Sequence, residues 1–471
     1  RRAPVATDTD QAPDLSLRRV AHIVGIGGPG MSAIAVVLAD MGHTVSGSDV
    51  VESPAVERLR GLGIAVAIGH RAENIPADAD FVAISTAVAA DNLEVAVARE
   101  QGVPVVRRDS LLPAIAATRR TVAVAGTHGK TTTSSMLAVI LRDSHLHPSF
   151  LIGGEVVQLA TNAAWDVGDW FVLEADESDG SGFAVPHEAL IVTNIEPDHL
   201  EFHGTVENLH DVFEEFIAST TGPCLVCADD PVASRLGRSH GARTYGLAAD
   251  ADIRMVDLEG TRAGSSFGVV MDSVPTGTIE LPIAGAHNAV NACAALAMAL
   301  ELGVSFVDAA TALAGFGGVG RRFEQRGEAG GITFIDDYAH LPTEIAAAIS
   351  AARDGGWGRV VAVFQPHRYS RTQSLWRDFA DAFIGSDLLV LTDVYAAGEA
   401  PREGVTGKLL VDAVLDSHPR QRVAYVPDRA GLATFLAGQL RGGDVCLTLG
   451  AGDVTRVADE VIALLTARGA S

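Results

Sequence analysis

Residues 122–137 read VAVAGTHGKTTTSSML. Four small apolar residues run into a glycine turn, then come Lys130, three threonines and a helical pattern. That is the order of a strand, a phosphate-binding turn and a helix. A full P-loop reads G-x-x-x-x-G-K-[ST]; Gly129-Lys130-Thr131 fits its end, but Val124 stands where the first glycine belongs. The turn is a shortened variant starting at Gly126, and its physics is intact. Small residues let backbone N–H groups approach a phosphate, and the helix N-terminus favours the charge. Lys130 is placed for terminal phosphates and Thr131 for Mg²⁺. Of the 35 basic residues only Lys130 and Lys408 are lysines. A chain that otherwise uses arginine keeps lysine where a compact point charge suits better than a planar fork.

Such a turn needs metal ligands nearby. VLEADESD ends an apolar strand at Glu174, the place of a Walker-type acid, and TNIEPDHLEFHG ends the next strand near His199. Magnesium prefers oxygen, which makes Glu174 the stronger ligand and His199 the weaker. Zinc at His199 and His203 is the rival, but no third ligand stands at useful spacing.

Outward from this segment the chain divides into three blocks behind a loose tail, residues 1–18, which lacks the apolar stretch of a signal peptide. Residues 19–117 alternate strands (VAHIVGI, HTVSGSD, FVAIS, VPVVR) with helical patterns, as a Rossmann-like parallel sheet does; residues 110–121 read as a connector. Residues 118–326 form a central P-loop-type ATPase sheet with an antiparallel insertion over 250–283, followed by a helix ending at Gly303. Residues 327–471 repeat strand and helix as a second Rossmann-like sheet. Its strand-end groups Asp336, Asp337, His367, Arg368 and Asp393 are where ligands sit in such folds. The fold class is therefore α/β in three domains.

A second glycine turn, Gly25-x-Gly27-x-x-Gly30, follows the first strand, with Asp49 trailing. By itself this is a dinucleotide fingerprint and supports an NAD(P)-dependent oxidoreductase. A dehydrogenase leaves GTHGKTTT unexplained, whereas a diphosphate-linked substrate accounts for both turns. The net charge of −24 argues against nucleic acid and anionic membranes. The four cysteines are too few for a disulfide framework, and no unbroken apolar stretch spans a membrane. Cys224 and Cys227 share a strand whose opposite faces they occupy, so they read as buried thiols. The expected compartment is the cytoplasm.

Nine motifs, in order over about residues 20–453, carry a resemblance: GIGGPGMS, GTHGKTTT, EADESDGS, TNIEPDHL, GAHNAVNACAA, GVGRRFE, DDYAHLPTE, FQPHRYSRT and AAGEAPREGVTG. Together they resemble the Mur ligase family of peptidoglycan synthesis. The resemblance implies an ATP- and Mg²⁺-dependent amide ligase joining L-alanine to the carboxylate of UDP-N-acetylmuramate through an acyl phosphate. Another ligase of the family, recycling muropeptides or of folylpolyglutamate type, is the alternative. Carried over by position, Gly126, Thr127, Gly129, Lys130, Thr131 and Thr132 would bind ATP phosphates. His287, Asn288 and Asn291 would handle adenine, Arg322 the phosphates and Asp337 the ribose. Thr131, Glu174 and His199 would serve the metal, and Lys130, Glu174, His199 and Arg322 the catalysis. Gly27, Gly28, Gly30, Met31, Ser32, Asp49, Ser85, Thr86, His128, Glu177 and Ser178 would take the UDP-sugar. Tyr338, His340, His367, Arg368 and Arg371 would line the space for the amino acid. The enzyme would be a monomer or weak homodimer. Two departures stand out: Leu341 replaces a usual histidine, and no lysine between Lys130 and Lys408 is present to be carbamylated, as happens in several sister ligases.

Overall fold

The computed structural model describes residues 13–469 apart from Thr86, Ala90 and Asp179. Residues 1–12 of the expected tail and Thr86, expected at the UDP-sugar, lie outside the described residues. Three sheets carry the fold. The first comprises β1 (Val20–Val24), β2 (Thr44–Asp49), β3 (Ala65–Ile68), β4 (Phe81–Ile84) and β5 (Val105–Arg107), all parallel, in the order β3-β2-β1-β4-β5. The order reverses between β1 and β4, which opens a crevice beyond the carboxyl ends of the strands.

The second sheet has ten strands: β6 (Arg120–Ala125), β7 (Ser149–Val156), β8 (Thr161–Ala164), β9 (Trp170–Glu174), β10 (Ala189–Val192), β11 (Cys224–Cys227), β12 (Arg243–Gly246), β13 (Ile253–Thr261), β14 (Gly264–Met271) and β15 (Val274–Leu281). Their order is β15-β14-β13-β12-β11-β10-β6-β9-β7-β8. The expected insertion is β13–β15. Its strands are joined by two-residue links, which only antiparallel hairpins allow, and Asp272 and Ser273 both have positive φ as a type I′ turn requires. The third sheet, β16 (Glu324–Ala329), β17 (Ile332–Asp337), β18 (Arg359–Phe364), β19 (Leu388–Leu391), β20 (Val423–Tyr425) and β21 (Asp444–Leu449), runs β16-β17-β21-β18-β19-β20. All its pairs are parallel except β16–β17.

Contacts divide the chain into two compact units. One runs to Met255 and includes Val269–Gly277 and Asn291–Leu313; the other comprises Val256–Gly268, Thr278–Val290 and the chain from Ala314. In the first unit a single core joins Ile34, Val37 and Leu38 of the helix Pro29–Asp40 to Leu151, Phe171 and Leu173 of the second sheet. Leu111, Leu112 and Ile115 belong to the same core, because residues 108–116 form a helix and not the expected connector. Pro113 reads as a breaker in the sequence, yet burying its apolar neighbours, at about 1.5–3 kcal/mol per large side chain, outweighs the lost hydrogen bond. In the second unit β18 feeds two cores by strict alternation. Val360, Ala362 and Phe364 face one and Val361 and Val363 the other. Among the described residues no helix is long and apolar enough to cross a membrane.

Candidate active site

β6 delivers its chain to the turn through residues that are all buried from Thr121 to Ala125. Gly129 caps the helix Lys130–Asp143 at φ +77°, and a Cβ there would meet the Asn291 Oδ1 at 2.5 Å. Only glycine meets both demands. The turn is latched from the end of β10. Asn194 accepts from the His128 N–H at 2.8 Å through Oδ1 and returns a bond from Nδ2 to the His128 carbonyl at 3.1 Å. The Thr193 hydroxyl donates to the same carbonyl at 2.5 Å, and the Thr127 hydroxyl accepts from the Glu196 N–H at 2.8 Å. His128, expected at the UDP-sugar, has Nε2 3.2 Å from Glu196.

Lys130 is largely buried, with 11% of its side chain exposed, and surrounded by acid. Its Nζ donates to Glu177 Oε2 at 2.7 Å and to the Gly126 carbonyl at 2.5 Å. Burial works against the ammonium, but Glu177, then Asp176 and Glu174, outweigh it and hold the Lys130 pKa above its ordinary value. The same carboxylates separate from one another. Burial pushes Asp176 up, yet Lys130 and two bonds from Ser178 bring it below the usual range. Burial, together with the neighbouring Asp176, keeps Glu177 above it. Glu177 thus lies against the lysine in this structure, although it was expected at the sugar nucleotide. The Thr131 hydroxyl donates to Glu174 Oε1 at 3.0 Å, and the Gly153 N–H bonds the other oxygen at 2.7 Å.

Thr131 and Glu174 present two oxygen donors side by side, which fits magnesium with the remaining positions left to phosphate and water. His199 places its Nε2 3.2 Å from Asp198. His199 and His203 do not converge as a zinc site, because His203 Nε2 meets the Glu177 carbonyl. Among the described residues no group of three His, Cys, Asp or Glu side chains is arranged for a metal. The four cysteines are free, and burial pushes Cys224, Cys227 and Cys446 up to about 12, so they are inert thiols.

At the first glycine turn the Gly27 N–H donates to Asp49 Oδ2 at 2.8 Å, and a Cβ on Gly27 would crowd that oxygen. Asp49 therefore shapes the turn itself. Gly28 stands at the N-cap of the helix Pro29–Asp40 and has no side chain to cap it. Met31 packs into the core, and the Ser32 hydroxyl donates to the Pro29 carbonyl at 3.1 Å in the first turn of that helix. Ser85 accepts the Ala87 N–H. Sequence reasoning missed Arg108. Its guanidinium carbon lies 3.3 Å from where a Gly30 Cβ would stand, and its charge helps to lower Asp176. The available signal was its place just past the end of β5.

In the second unit Asp337 accepts the Phe323 and Ala339 N–H groups, both at 2.7 Å, and burial raises it to about 6 against the pull of Arg322. Arg322 lies 3.9 Å from Glu344. Its neighbour Arg321 serves the fold, bonding the buried Asp336 at 3.2 Å and the Gly450 carbonyl at 2.6 Å. His340 donates its N–H to Glu344 at 2.9 Å, and Tyr338 takes both arginines against its ring. His367 stacks on Tyr395 with ring centres 5.6 Å apart and receives Arg371 on Nδ1 at 3.3 Å. Burial, then Arg371, drive its pKa down to about 3, so it is neutral. Arg368 has φ +69°, a strained value for a residue with a side chain, and its N–H bonds the Tyr395 carbonyl. His287 is neutral as well, lowered to about 4 by burial. Asn288, expected at the adenine, turns Nδ2 onto the Ala284 carbonyl at 2.8 Å at the start of the helix Ala286–Glu301. Asp393 likewise bonds the Gly407 N–H at 2.8 Å.

Family models match the three blocks in turn. The "Mur ligase family, catalytic domain" model covers residues 20–120, "Mur ligase middle domain" 124–299 and "Mur ligase, glutamate ligase domain" 321–452. The chain belongs to the Mur ligase family. It is 45% identical over 446 residues to a UDP-N-acetylmuramate–L-alanine ligase of Bradyrhizobium sp. strain BTAi1, covering 92% of this chain and 95% of that one. It is also 45% identical over 459 residues to the enzyme of that name from Rhodopseudomonas palustris strain TIE-1, with 95% and 98% covered. Among solved structures, the UDP-N-acetylmuramate-alanine ligase of Thermotoga maritima aligns with TM-score 0.80 and 30% identity over 96% of this chain and all of that one. A murein peptide ligase from Psychrobacter arcticus shares the fold, at TM-score 0.68 and 22% identity over 95% of this chain and 98% of that one. Membership in the Mur ligases removes the oxidoreductase reading of the first glycine turn and brings ATP use with it.

Proposed function

We propose that this Mur ligase joins L-alanine to the carboxylate of UDP-N-acetylmuramate at the expense of ATP, releasing ADP and phosphate. The observation that carries the reading is the buried Lys130 at the head of a phosphate turn, with Thr131 and Glu174 paired beside it. The relatives at 45% identity, all bearing that activity in their names, support it. Residues 19–117 hold the UDP-sugar, 118–326 ATP and magnesium, and 327–471 the amino acid. The substrates place the reaction in the cytoplasm, and the chain works as a monomer or weak homodimer.

A carboxylate is a poor acyl donor. One of its oxygens attacks the γ-phosphorus, the bond to the β-phosphate breaks, and ADP leaves. The amine of alanine then attacks the acyl carbon, loses a proton, and phosphate departs as the amide forms. The first step brings anions together, so it needs fixed positive charge in a dry site. Lys130 supplies it: the ammonium now on Glu177 and the Gly126 carbonyl passes to the phosphates. Thr131 and Glu174 would hold magnesium, which would supply charge neutralisation at the phosphates, with His199 assigned to it by position alone. Arg322 and Asp337 are assigned to ATP, together with His287 and Asn291. Arg368 and Arg371 suit the alanine carboxylate because a guanidinium grips it through two bonds. Neutral His367 beside them adds no competing charge.

The test is phosphate release with ATP, Mg²⁺ and UDP-N-acetylmuramate plus L-alanine, glycine, L-serine or a muropeptide fragment, with the product mass measured. Release that needs every component and yields the alanyl adduct is the expected result. Release without the sugar nucleotide, or with the peptide in preference to alanine, overturns the reading.

A further inference from the structure

A second polar cluster lies inside the first unit, away from the phosphate turn. Glu94 stands in the first turn of the helix Leu93–Gln101 and is completely buried. Its Oε2 accepts the Ser48 hydroxyl at 2.5 Å and lies 3.4 Å from His70 Nδ1 and 3.6 Å from His22 Nε2. Its Oε1 accepts the Arg71 N–H at 3.0 Å and Asn74 Nδ2 at 2.5 Å. Burial by itself pushes the carboxyl up; these partners reverse that and hold it at about 2. A buried carboxylate is costly unless every lone pair is met, and this one is met on all sides.

What it holds is the nucleotide end of the sheet. The Ser48 carbonyl accepts the N–H groups of Gly25 at 2.8 Å and Ile26 at 3.0 Å, the first two residues of the glycine turn. The next residue, Asp49, accepts Gly27. The Asp49 carbonyl in turn receives the Gly69 N–H at 2.8 Å, which ties His70, just past the end of β3, to the end of β2. His70 Nδ1 is 3.0 Å from the Ser48 hydroxyl oxygen, and its side chain keeps 21% of its surface exposed.

Hydrogen placement follows. Ser48 has one hydroxyl hydrogen and gives it to Glu94, so Ser48 and Glu94 both turn lone pairs toward His70. Nδ1 must carry the ring hydrogen, and in the neutral ring Nε2 is then an acceptor. In sheets of this kind the acid at the end of β2 marks the ribose. Asp49 pairs with Ile68 of β3, so His70 stands one strand further on, roughly 5 Å across the sheet, beyond the end of β3.

We propose that His70 reads the base of the sugar nucleotide. Its Nε2 accepts the N3–H of uracil, and Glu94, acting through Ser48, is the positioning residue that fixes the tautomer. Cytosine carries an unprotonated N3 at the same place and sets lone pair against lone pair. The inference rests on the assignment of the first glycine turn to a UDP-sugar.

Calorimetric titration of the full chain with UDP and with CDP tests it, with UDP-N-acetylmuramate and ATP as controls. Wild-type protein is expected to prefer UDP by at least about tenfold, as sites built around a hydrogen bond do. His70→Ala is expected to erase the preference while ATP binding and melting temperature hold. Ser48→Ala, which cuts the relay without touching the ring, is expected to reduce it. A wild-type protein indifferent to the base, or a folded His70→Ala with the wild-type ratio, overturns the proposal. If His70→Ala fails to fold, an unchanged ratio in Ser48→Ala does so. Failure of the wild type to bind either UDP or UDP-N-acetylmuramate overturns instead the assignment of the turn.

Discussion

Lys130→Met separates the two duties of the lysine. In the resting structure Nζ bonds Glu177, and the two side chains are only 11% and 3% exposed, so solvent screens the pair little. Removing one member of a buried pair costs about 3–5 kcal/mol, because the other is left as an uncompensated charge. Here Asp176 aggravates the loss, since Lys130 is the largest influence opposing its burial. For a unit of this size the cost corresponds to a drop in melting temperature of roughly 5–8 °C. The sign with pH follows from the carboxylates. Without the ammonium a buried carboxyl titrates above its unfolded value, so the folded state takes up the proton first. The deficit is then largest at high pH and shrinks by up to about 1.4 kcal/mol per pH unit as the proton is bound.

The double variant Lys130→Met/Glu177→Gln removes both charges and is expected to regain most of the stability, as apolar or neutral replacement of buried pairs does. Ligation is expected to stay down about a thousandfold in both variants, since roughly 4 kcal/mol of charge stabilisation at the γ-phosphoryl is gone. Thermal unfolding read by Trp165 and Trp170, both in the first unit, gives the stability at pH 6 and pH 8. Phosphate release gives the activity. A single variant as stable as wild type at pH 8 refutes the buried-pair argument. A double variant that ligates at near-wild-type rate refutes the role of Lys130 at the phosphates.

Gly129→Ala is expected to raise the KM for ATP at least about tenfold, because a side chain at φ +77° costs about 1–2 kcal/mol and strikes Asn291. Adding Asn291→Ala removes the clash and should recover part of the loss in the same kinetic assay; no recovery would mean that the backbone strain alone is responsible. Glu174→Gln is expected to raise the magnesium concentration for half-maximal rate by an order of magnitude with the KM for alanine unchanged, and an unchanged magnesium curve would remove Glu174 from the metal site. Arg368→Ala should raise the KM for alanine by about 10–150-fold, the worth of a charge-assisted bond, and leave ATP binding as it is. Equal loss of both would make the residue structural.

The parts of the site written in one continuous segment were legible. A strand, a small turn, Lys130 and Thr131 must follow one another if backbone N–H groups are to meet a phosphate, so GTHGKTTT announces itself. Glu174 was legible for a related reason, since an acid ending an apolar strand in a parallel sheet lies at the ligand edge. The two neighbouring arginines show where this ends. Positive φ at Arg321 and at Phe323 turns consecutive side chains apart, one onto buried Asp336 and the other toward Glu344, and nothing in RRF reveals it. The short or irregular strands β3, β7, β8, β12 and β16 were missed as well. β7 carries Gly153 and Gly154, β16 has a register shift at Gly327, and neither shows an unbroken apolar alternation.

The pairings that decide protonation were invisible because they join residues far apart in the chain. Lys130 meets Glu177 across 47 positions and Ser48 meets Glu94 across 46. In each case the acid stands among other acids or polar residues, in EADESD or in DNLE, where composition gives no reason to single it out. The two contacts also differ in what they allow. Glu177 carries a raised pKa, and on the proposed assignment a phosphate would replace it beside Lys130, so the pair can part. Glu94 is held near 2 by partners on every side, so its cluster stays closed. An exchangeable ion pair suits the end of the site where the nucleotide is consumed and must leave. A locked network suits the end proposed for the UDP-sugar, whose nucleotide is a handle held unchanged while the chemistry proceeds elsewhere.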